Sequence, residues 1–241
     1  ESGEMIIEGY REIKRALDNK HFPAELFFCQ KLFKGENEPK LMERCHKGGA
    51  SLYDCSPSVF EKISYRDGPD GLLAVAPQVR KTLESIALPS NPLLVVVEAI
   101  EKPGNLGTIL RSSDAAGVNA VIVCDRCTDV CNPNVVRASI GTLFSLPVVE
   151  ASTDEAIAWL GKNGINILAA TPRAEMPYTK ADMVRGTAIV LGTEQYGLSE
   201  RWMKEATSRV KIPMLGQADS LNVAAAATIL LYEAVRQRSK W

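Results

Sequence analysis

Three glycine-containing loops in the second half of the chain carry the polar side chains best suited to binding a ligand. They are EKPGNLGTILRSSDAAG (residues 101–117), LGTEQYGLSE (residues 191–200) and IPMLGQADSLNV (residues 212–223). Glycine allows close backbone approach and positive φ angles, and free amides at a helix N-terminus attract anions. These residue types therefore predict a site for a small ligand or a phosphate group.

Each loop also has a simpler interpretation. Arg111 lies six residues after Asn105 and could reach the same site, but the spacing alone favours an exposed arginine on an amphipathic helix. Glu194 lies between two glycines, where it could bind a ligand hydroxyl or be a solvated turn residue. Ser220 or Asn222 could cap the helix that follows. No G-x-G-x-x-G dinucleotide pattern occurs anywhere in the chain.

The elements that must position these loops alternate between strand and helix from Leu93 onward. Short runs rich in Val and Ile predict a parallel sheet covered on both faces by helices. Ligands of such sheets bind at the carboxyl ends of the strands, and the three loops follow the predicted strands 94–98, 187–191 and 209–212. The other predicted strands are 120–123, 147–149 and 165–170, and the predicted helices are 106–116, 133–141, 154–162 (capped by Thr153), 200–205 and 223–238.

Residues 1–77 form a separate pattern that predicts a small α/β domain. The predicted helices there are 8–17, 39–47 and 56–63, and the predicted strands are 25–29, 50–53 and 71–76. The polar stretch QVRKTLESIALPSN, residues 78–91, is predicted as a linker or a bridging helix. The second domain is therefore expected to span residues 92–241.

Composition is that of an ordinary globular protein, with 46% apolar and 24% charged residues among 241 and a net charge of −1. No run approaches the length of a membrane span, and the N-terminal sequence does not have the pattern of a secretory signal. Six cysteines without such a signal predict reduced thiols in a cytoplasmic protein. Cys124, Cys127 and Cys131 are closely spaced, but no fourth ligand is near them, so we expect no metal site. The charge gives no bulk indication of nucleic-acid binding.

In their order and spacing, the three loops resemble the motifs of the SpoU family, the RNA 2′-O-ribose methyltransferases of the SPOUT class. The first motif corresponds to Asn105-Leu-Gly107 with Arg111. The second corresponds to Gly192-Thr-Glu194-Gln-Tyr-Gly197. The third corresponds to Ile212-Pro-Met-Leu-Gly216 and Ser220-Leu-Asn-Val223. Residues 1–77 more loosely resemble the small substrate-binding domain that many members carry.

The resemblance implies a fold, a cofactor and an active site. The fold would be an α/β, parallel-sheet domain with a C-terminal trefoil knot, preceded by a small α/β RNA-binding domain. S-adenosylmethionine would lie in the knot, held largely by backbone groups. The implied catalytic residues are Arg111, Asn105, Glu194, Ser220 and Asn222, and the implied cofactor-binding residues are Gly192, Ile212, Leu221, Leu191, Thr193, Met214 and Gly216.

The resemblance also implies partners. Members are usually homodimers, so Ile229, Leu230 and Tyr232 of the last helix are expected at a dimer contact or in the core. RNA contacts are expected from Arg11, Lys14, Arg15 and Arg137, each of which could instead be a solvated charge. A separate N-terminal domain favours ribosomal RNA as the substrate. A tRNA methyltransferase, a nonenzymatic ribosome-assembly protein and a general nucleotide-binding enzyme remain alternatives.

Overall fold

The structure, a computed structural model, describes residues 3–193 and 195–239. The chain divides into two compact units. One comprises the residues up to Val79 together with Asp129–Ser145, and the other comprises Arg80–Thr128 and the residues from Leu146 onward. The segment 129–145 therefore groups with the first unit, although its sequence lies within the range predicted for the second domain.

The first unit contains a four-stranded sheet in the order β1-β4-β2-β3. Its strands are β1 (Glu4–Glu8), β2 (Glu25–Phe28), β3 (Ser51–Asp54) and β4 (Leu72–Pro77), and its helices are α1 (Tyr10–Asp18), α2 (Glu38–Lys47), α3 (Pro57–Ile63) and α5 (Pro133–Ala138). β4 pairs antiparallel with both β1 and β2, whereas β2 and β3 are parallel. Strand β1 was not predicted from the sequence. Met5 and Ile7 alternate into the core, and helix α1 starts only after Gly9, whose φ of 110° ends the strand.

The second unit is built on a parallel seven-stranded sheet in the order β7-β6-β5-β10-β8-β11-β9. The strands are β5 (Leu93–Glu98), β6 (Ala120–Cys124), β7 (Val148–Ala151), β8 (Asn166–Ala170), β9 (Met176–Pro177), β10 (Thr187–Leu191) and β11 (Ser208–Lys211). The helices are α4 (Pro103–Ala115), α6 (Thr153–Lys162), α7 (Glu200–Glu205) and α8 (Val223–Arg238). Every residue of β5, β6 and β10 is buried, as expected for central parallel strands. The predicted α/β class and parallel sheet are confirmed.

One local prediction was wrong. Helix α6 is capped by Ser152 and not by Thr153, because the Ser152 side chain and Glu155 form a reciprocal capping box. The Thr153 hydroxyl instead donates to Asp125 Oδ2 at 2.6 Å and accepts from the indole of Trp202 at 3.2 Å. The stretch 78–91, predicted as a linker or a bridging helix, contains a single 3₁₀ turn at Leu83–Ser85 and no α-helix, so it is not a bridging helix.

Neither a membrane span nor a metal centre was found in the part of the chain that the structure describes. No helix there is both long and apolar enough to cross a bilayer. No group of three or more His, Cys, Asp or Glu side chains is arranged to bind a metal ion among those residues. Cys124 is buried, and burial raises the pKa of its thiol to about 12.

Candidate active site

The three glycine-containing loops follow β5, β10 and β11 in the second unit. Because these strands are parallel, the loops all emerge at the carboxyl edge of one sheet. The register aligns Val97 of β5 with Leu191 of β10, so the first two loops start from adjacent positions. The fold therefore brings the three sequence motifs to the same edge.

A direct contact joins the first and third loops. Asn222 Nδ2 donates a hydrogen bond of 3.0 Å to Asn105 Oδ1, although 117 residues separate the two positions. Further along the same helices, the hydroxyls of Ser112 and Thr228 are hydrogen-bonded at 2.8 Å. From the first contact to the second, the residue number rises in both helices, so α4 and α8 run side by side in the same direction.

Asn222 is also the N-cap of α8. Its Oδ1 accepts the backbone N–H groups of Ala224 at 3.0 Å and Ala225 at 3.4 Å, which confirms the capping interpretation and fixes which amide atom faces Asn105. The N-termini of α4 and α8 thus lie beside each other. Helix N-termini carry partial positive charge, so this position favours a negatively charged group such as a phosphate.

Arg111 lies on α4 less than two turns beyond Asn105, and it is exposed. It forms no ion pair with another residue of 3–193 or 195–239. An arginine remains protonated in proteins and binds phosphate in a planar, bidentate geometry. Its charge is therefore available to an anionic ligand.

The second loop is closed by backbone contacts between Thr193 and Gly197. Their N–H and C=O groups exchange hydrogen bonds of 3.0 and 3.1 Å, and Gly197 has a φ of 74°. A Cβ atom on Gly192 would lie 2.2 Å from the Gly197 carbonyl group, so only glycine fits there. Glu194, a predicted catalytic residue, lies outside the described residues.

One further polar residue at this edge, Glu98, was not predicted from the sequence. Glu98, at the end of β5, is buried and accepts the Ser199 backbone N–H through Oε2 at 2.8 Å. Ser199 is the N-cap residue of α7, so the Glu98 carboxylate links the end of the second loop to strand β5. The sequence did contain an indication of this role, because Glu98 is the one acidic residue of the otherwise apolar strand LLVVVE.

The third loop differs from the second in its backbone hydrogen bonding. Within the described part of the chain, residues 212–221 form no backbone hydrogen bond. Ile212 and Met214 are half-buried, and Leu221 and Gly216 are exposed. Unpaired amides and carbonyls beside apolar side chains fit a ligand with an apolar, hydrogen-bonding ring system such as adenosine, so the residues present are suited to the implied cofactor.

The remaining predicted site residues are less constrained. Ser220 is exposed, and its hydroxyl contacts only Asp219, at 3.3 Å, among the described side chains. Gly216 has no heavy atom within 4 Å of an added Cβ. On α8, Leu230 is fully buried in the core, whereas Tyr232 is 47% exposed and Ile229 is partly buried. The alternative core interpretation is therefore correct for Leu230.

The predicted RNA-binding residues lie in the first unit. Arg11 and Arg137 are exposed. Lys14 is paired with Asp18 at 2.6 Å, and Arg15 donates to the Ile140 carbonyl at 3.0 Å. Arg15 is therefore engaged in fixing the segment 129–145, and Arg11 and Arg137 are the more accessible of the four.

Comparison with known proteins extends over both units. The profile of the SpoU rRNA Methylase family matches residues 92–232, and that of the MRM3-like substrate binding domain matches residues 1–74. A 23S rRNA (uridine(2479)-2′-O)-methyltransferase from Streptomyces viridochromogenes is 31% identical over 98% of this chain and 84% of its own length. A crystal structure of an RNA 2′-O ribose methyltransferase is 40% identical with a TM-score of 0.84, covering 98% of this chain and 89% of the other.

A further solved structure carries the cofactor. It is the SpoU methyltransferase AviRb from Streptomyces viridochromogenes in complex with AdoMet, 31% identical with a TM-score of 0.87, and the match covers 98% of this chain and 91% of that one. The likeness therefore includes the sheet, the three loops and the N-terminal unit. The family profile covers more than half of the chain. On these grounds the chain belongs to the SpoU rRNA Methylase family.

Proposed function

We propose that the protein methylates the 2′-hydroxyl of a ribose in ribosomal RNA, using S-adenosylmethionine as the methyl donor. The observation that carries the proposal is the hydrogen bond between Asn105 and Asn222, because it joins two of the three family motifs beside two helix N-termini and Arg111. The substrate class rests on the family and on relatives named as 23S rRNA 2′-O-methyltransferases.

The cofactor would be held by the second and third loops. We assign Leu191, Gly192 and Thr193 to one wall, and Ile212, Met214, Gly216 and Leu221 to the other. When bound, S-adenosylmethionine supplies an electrophilic methyl group on a sulfonium. The backbone hydrogen bonds between Thr193 and Gly197 suit a rigid wall. Residues 212–221 form no backbone hydrogen bond with the described residues, which suits an adaptable wall. The resemblance to the family also implies that the C-terminal segment forms a trefoil knot, and this knot would hold the two loops together.

The protein's own residues would prepare the RNA. A ribose 2′-hydroxyl is a weak nucleophile, so a site must favour loss of its proton. The Arg111 cation would stabilise the developing negative charge on the 2′-oxygen and hold the adjacent phosphate, aided by the N-termini of α4 and α8. Asn105, positioned by Asn222, would orient the ribose, and Glu194 and Ser220 would order the surrounding loops.

The other parts of the proposal concern assembly and location. Residues 1–77 would bind the RNA, with residues 78–91 as a linker and residues 92–241 as the methyltransferase domain. A homodimer would use the exposed surface of α8 near Tyr232, which is 47% exposed. The free cysteines are compatible with a reducing, cytoplasmic environment.

The decisive experiment is methyl transfer from radiolabelled S-adenosylmethionine to purified ribosomal RNA and to bulk tRNA. Label in ribosomal RNA that Arg111→Ala abolishes is the expected result. Arg185→Ala is the matched control, because Arg185 is also an exposed arginine of the second unit but precedes β10 at the opposite edge of the sheet. Label in tRNA alone would overturn the substrate, and full activity of Arg111→Ala would overturn the role of that residue.

A further inference from the structure

A polar cavity of about 310 Å³ lies in the first unit, away from the three loops in sequence. It is formed by the start of α1, the residues that precede α2 and the residues that precede β4. Its lining includes Tyr10, Arg11, Glu12, Lys34, Glu38 and Asp70. This volume is at the small end of the range for ligand-binding sites in proteins.

Two residues that line the cavity, Glu38 and Asp70, each have a buried carboxylate oxygen without a hydrogen-bond partner among the described residues. Glu38 is 4% exposed, and its Oε1 accepts the backbone N–H groups of Lys34 at 3.2 Å and Gly35 at 2.8 Å. Its Oε2 is buried and has no hydrogen-bond partner among the described residues. Asp70 repeats the arrangement. Its Oδ2 accepts from the Tyr10 backbone and from Arg66, both at 3.2 Å, whereas the buried Oδ1 has no partner in the described part of the chain.

A third carboxyl group, that of Glu12, also lines the cavity. Glu12 is 5% exposed, and burial raises its pKa above the ordinary value. For Glu38 and Asp70, a buried acceptor without a donor is energetically costly. A ligand that brought N–H donors into the cavity would relieve that cost.

The edge of the cavity carries the opposite charge. Arg11 and Lys34 are exposed, and Lys34 Nζ is held at 2.9 Å from the Gly68 carbonyl. The carboxyl groups do not form a metal site, since no metal-binding cluster was found among residues 3–193 and 195–239. A matching ligand therefore has N–H donors at one end and negative charge at the other, as a nucleotide does.

The four RNA bases differ in how well they match buried carboxyl oxygens. Guanine presents two adjacent donors, the N1–H and the exocyclic amino group, on one edge. Adenine and cytosine place a ring-nitrogen acceptor beside their amino group, and uracil flanks its one N–H with two carbonyls. A carboxylate would repel those acceptors, so guanine fits best. Proteins that recognise RNA by sequence bind such unstacked bases by hydrogen bonds to this edge.

We propose that this cavity binds an unpaired guanine of the RNA substrate, with Glu38 and Glu12 accepting from its Watson–Crick edge and Arg11 and Lys34 contacting the flanking phosphates. The proposal rests on the proposed function in taking RNA as the ligand. It deepens that function by giving the N-terminal unit a base preference.

The test is fluorescence anisotropy of the full-length chain with labelled single-stranded oligouridylates. One has a central guanosine, a second has inosine there, which lacks the exocyclic amino group, and a third is all uridine. We expect the guanosine oligonucleotide to bind about tenfold more tightly than the other two. Glu38→Gln should abolish this preference and leave the affinity for oligouridylate unchanged. The glutamine oxygen can still accept from Lys34 and Gly35, so the fold should persist, which circular dichroism checks.

Glu36→Gln is the matched control, because Glu36 is an exposed acid two residues away that does not line the cavity. It should keep the guanosine preference. Equal affinities for the three oligonucleotides, or binding of none of them, would overturn the proposal, as would an equal loss for all three in Glu38→Gln. Arg111→Ala should retain the preference, so a guanine-binding protein without methyl transfer would refute the proposed function alone.

Discussion

Asn222 and Asn105 share an amide–amide hydrogen bond of 3.0 Å, and the same Asn222 side chain caps helix α8. One side chain thus performs a structural task with its oxygen and a positioning task with its nitrogen. The two tasks are separable by substitution, because aspartate supplies capping oxygens but no donor.

Asn222→Asp is expected to keep the stability of the protein and lower methyl transfer about tenfold. The carboxylate still caps α8 but faces the Asn105 oxygen with negative charge. Asn105 would have to exchange its oxygen and nitrogen to donate to that carboxylate. Urea unfolding and initial rates of methyl transfer measure the two effects.

Asn222→Ala is the comparison variant. It removes both the cap and the donor, so it should lose about 1 kcal/mol of unfolding free energy in addition to activity. If Asn222→Asp were fully active, the bond to Asn105 would have no part in catalysis. If both variants had wild-type stability, the cap would be unimportant to α8.

Glycine substitutions can separate the two predicted walls of the cofactor pocket. Gly192→Ala should lower both the melting temperature and the affinity for S-adenosylmethionine, because its Cβ would lie 2.2 Å from the Gly197 carbonyl group. Gly216→Ala should leave the melting temperature unchanged, since no heavy atom lies within 4 Å of its Cβ, and lower only the affinity. Differential scanning fluorimetry and isothermal titration calorimetry provide the two readings.

Either variant can refute its part of the assignment. A wild-type melting temperature for Gly192→Ala would mean that residues 192 and 197 do not approach as closely as the structure shows. Wild-type cofactor affinity for Gly216→Ala would remove Gly216 from the pocket. The two results are independent, because the residues lie on different loops.

Glu12 gives a pH-dependent stability with a definite sign. Its pKa is raised first by burial, and Asp70 adds to the effect, whereas Arg11 and Arg66 oppose it. Lys34 and Glu38 also line the cavity around it. The stabilising contribution of the protonated form is therefore fully present below the ordinary pKa of 4.5 and is lost as the pH rises through the higher pKa of the folded state.

Glu12→Gln removes this dependence because its side chain does not ionise. The variant should gain unfolding free energy relative to wild type as the pH rises above about 4.5, and urea titrations across pH 4 to 8 test this. A difference that stayed constant over that range would contradict the raised pKa. The same variant should lose the guanosine preference, which would indicate that the buried carboxyl is kept for binding at a cost in stability.

The alternation of short apolar runs with helices determined the architecture of the second unit. It placed β10, α7 and α8 at their observed bounds and most other elements within a few residues. Such patterns are local, since burial on both faces of a strand shows directly in its residues. The strand β1 was missed because EMIIE precedes a helix closely, and its pairing with β4 is made by residues about 70 positions away.

The sequence alone also predicted the site residues, because the three motifs are local strings of particular residue types and spacings. Only the tertiary structure decided their relations. The bond between Asn105 and Asn222, the support of Ser199 by Glu98 and the grouping of residues 129–145 with the first unit all join distant positions. Hydrogen bonding and burial depend on which surfaces the folded chain brings together, and no short window of sequence contains that information.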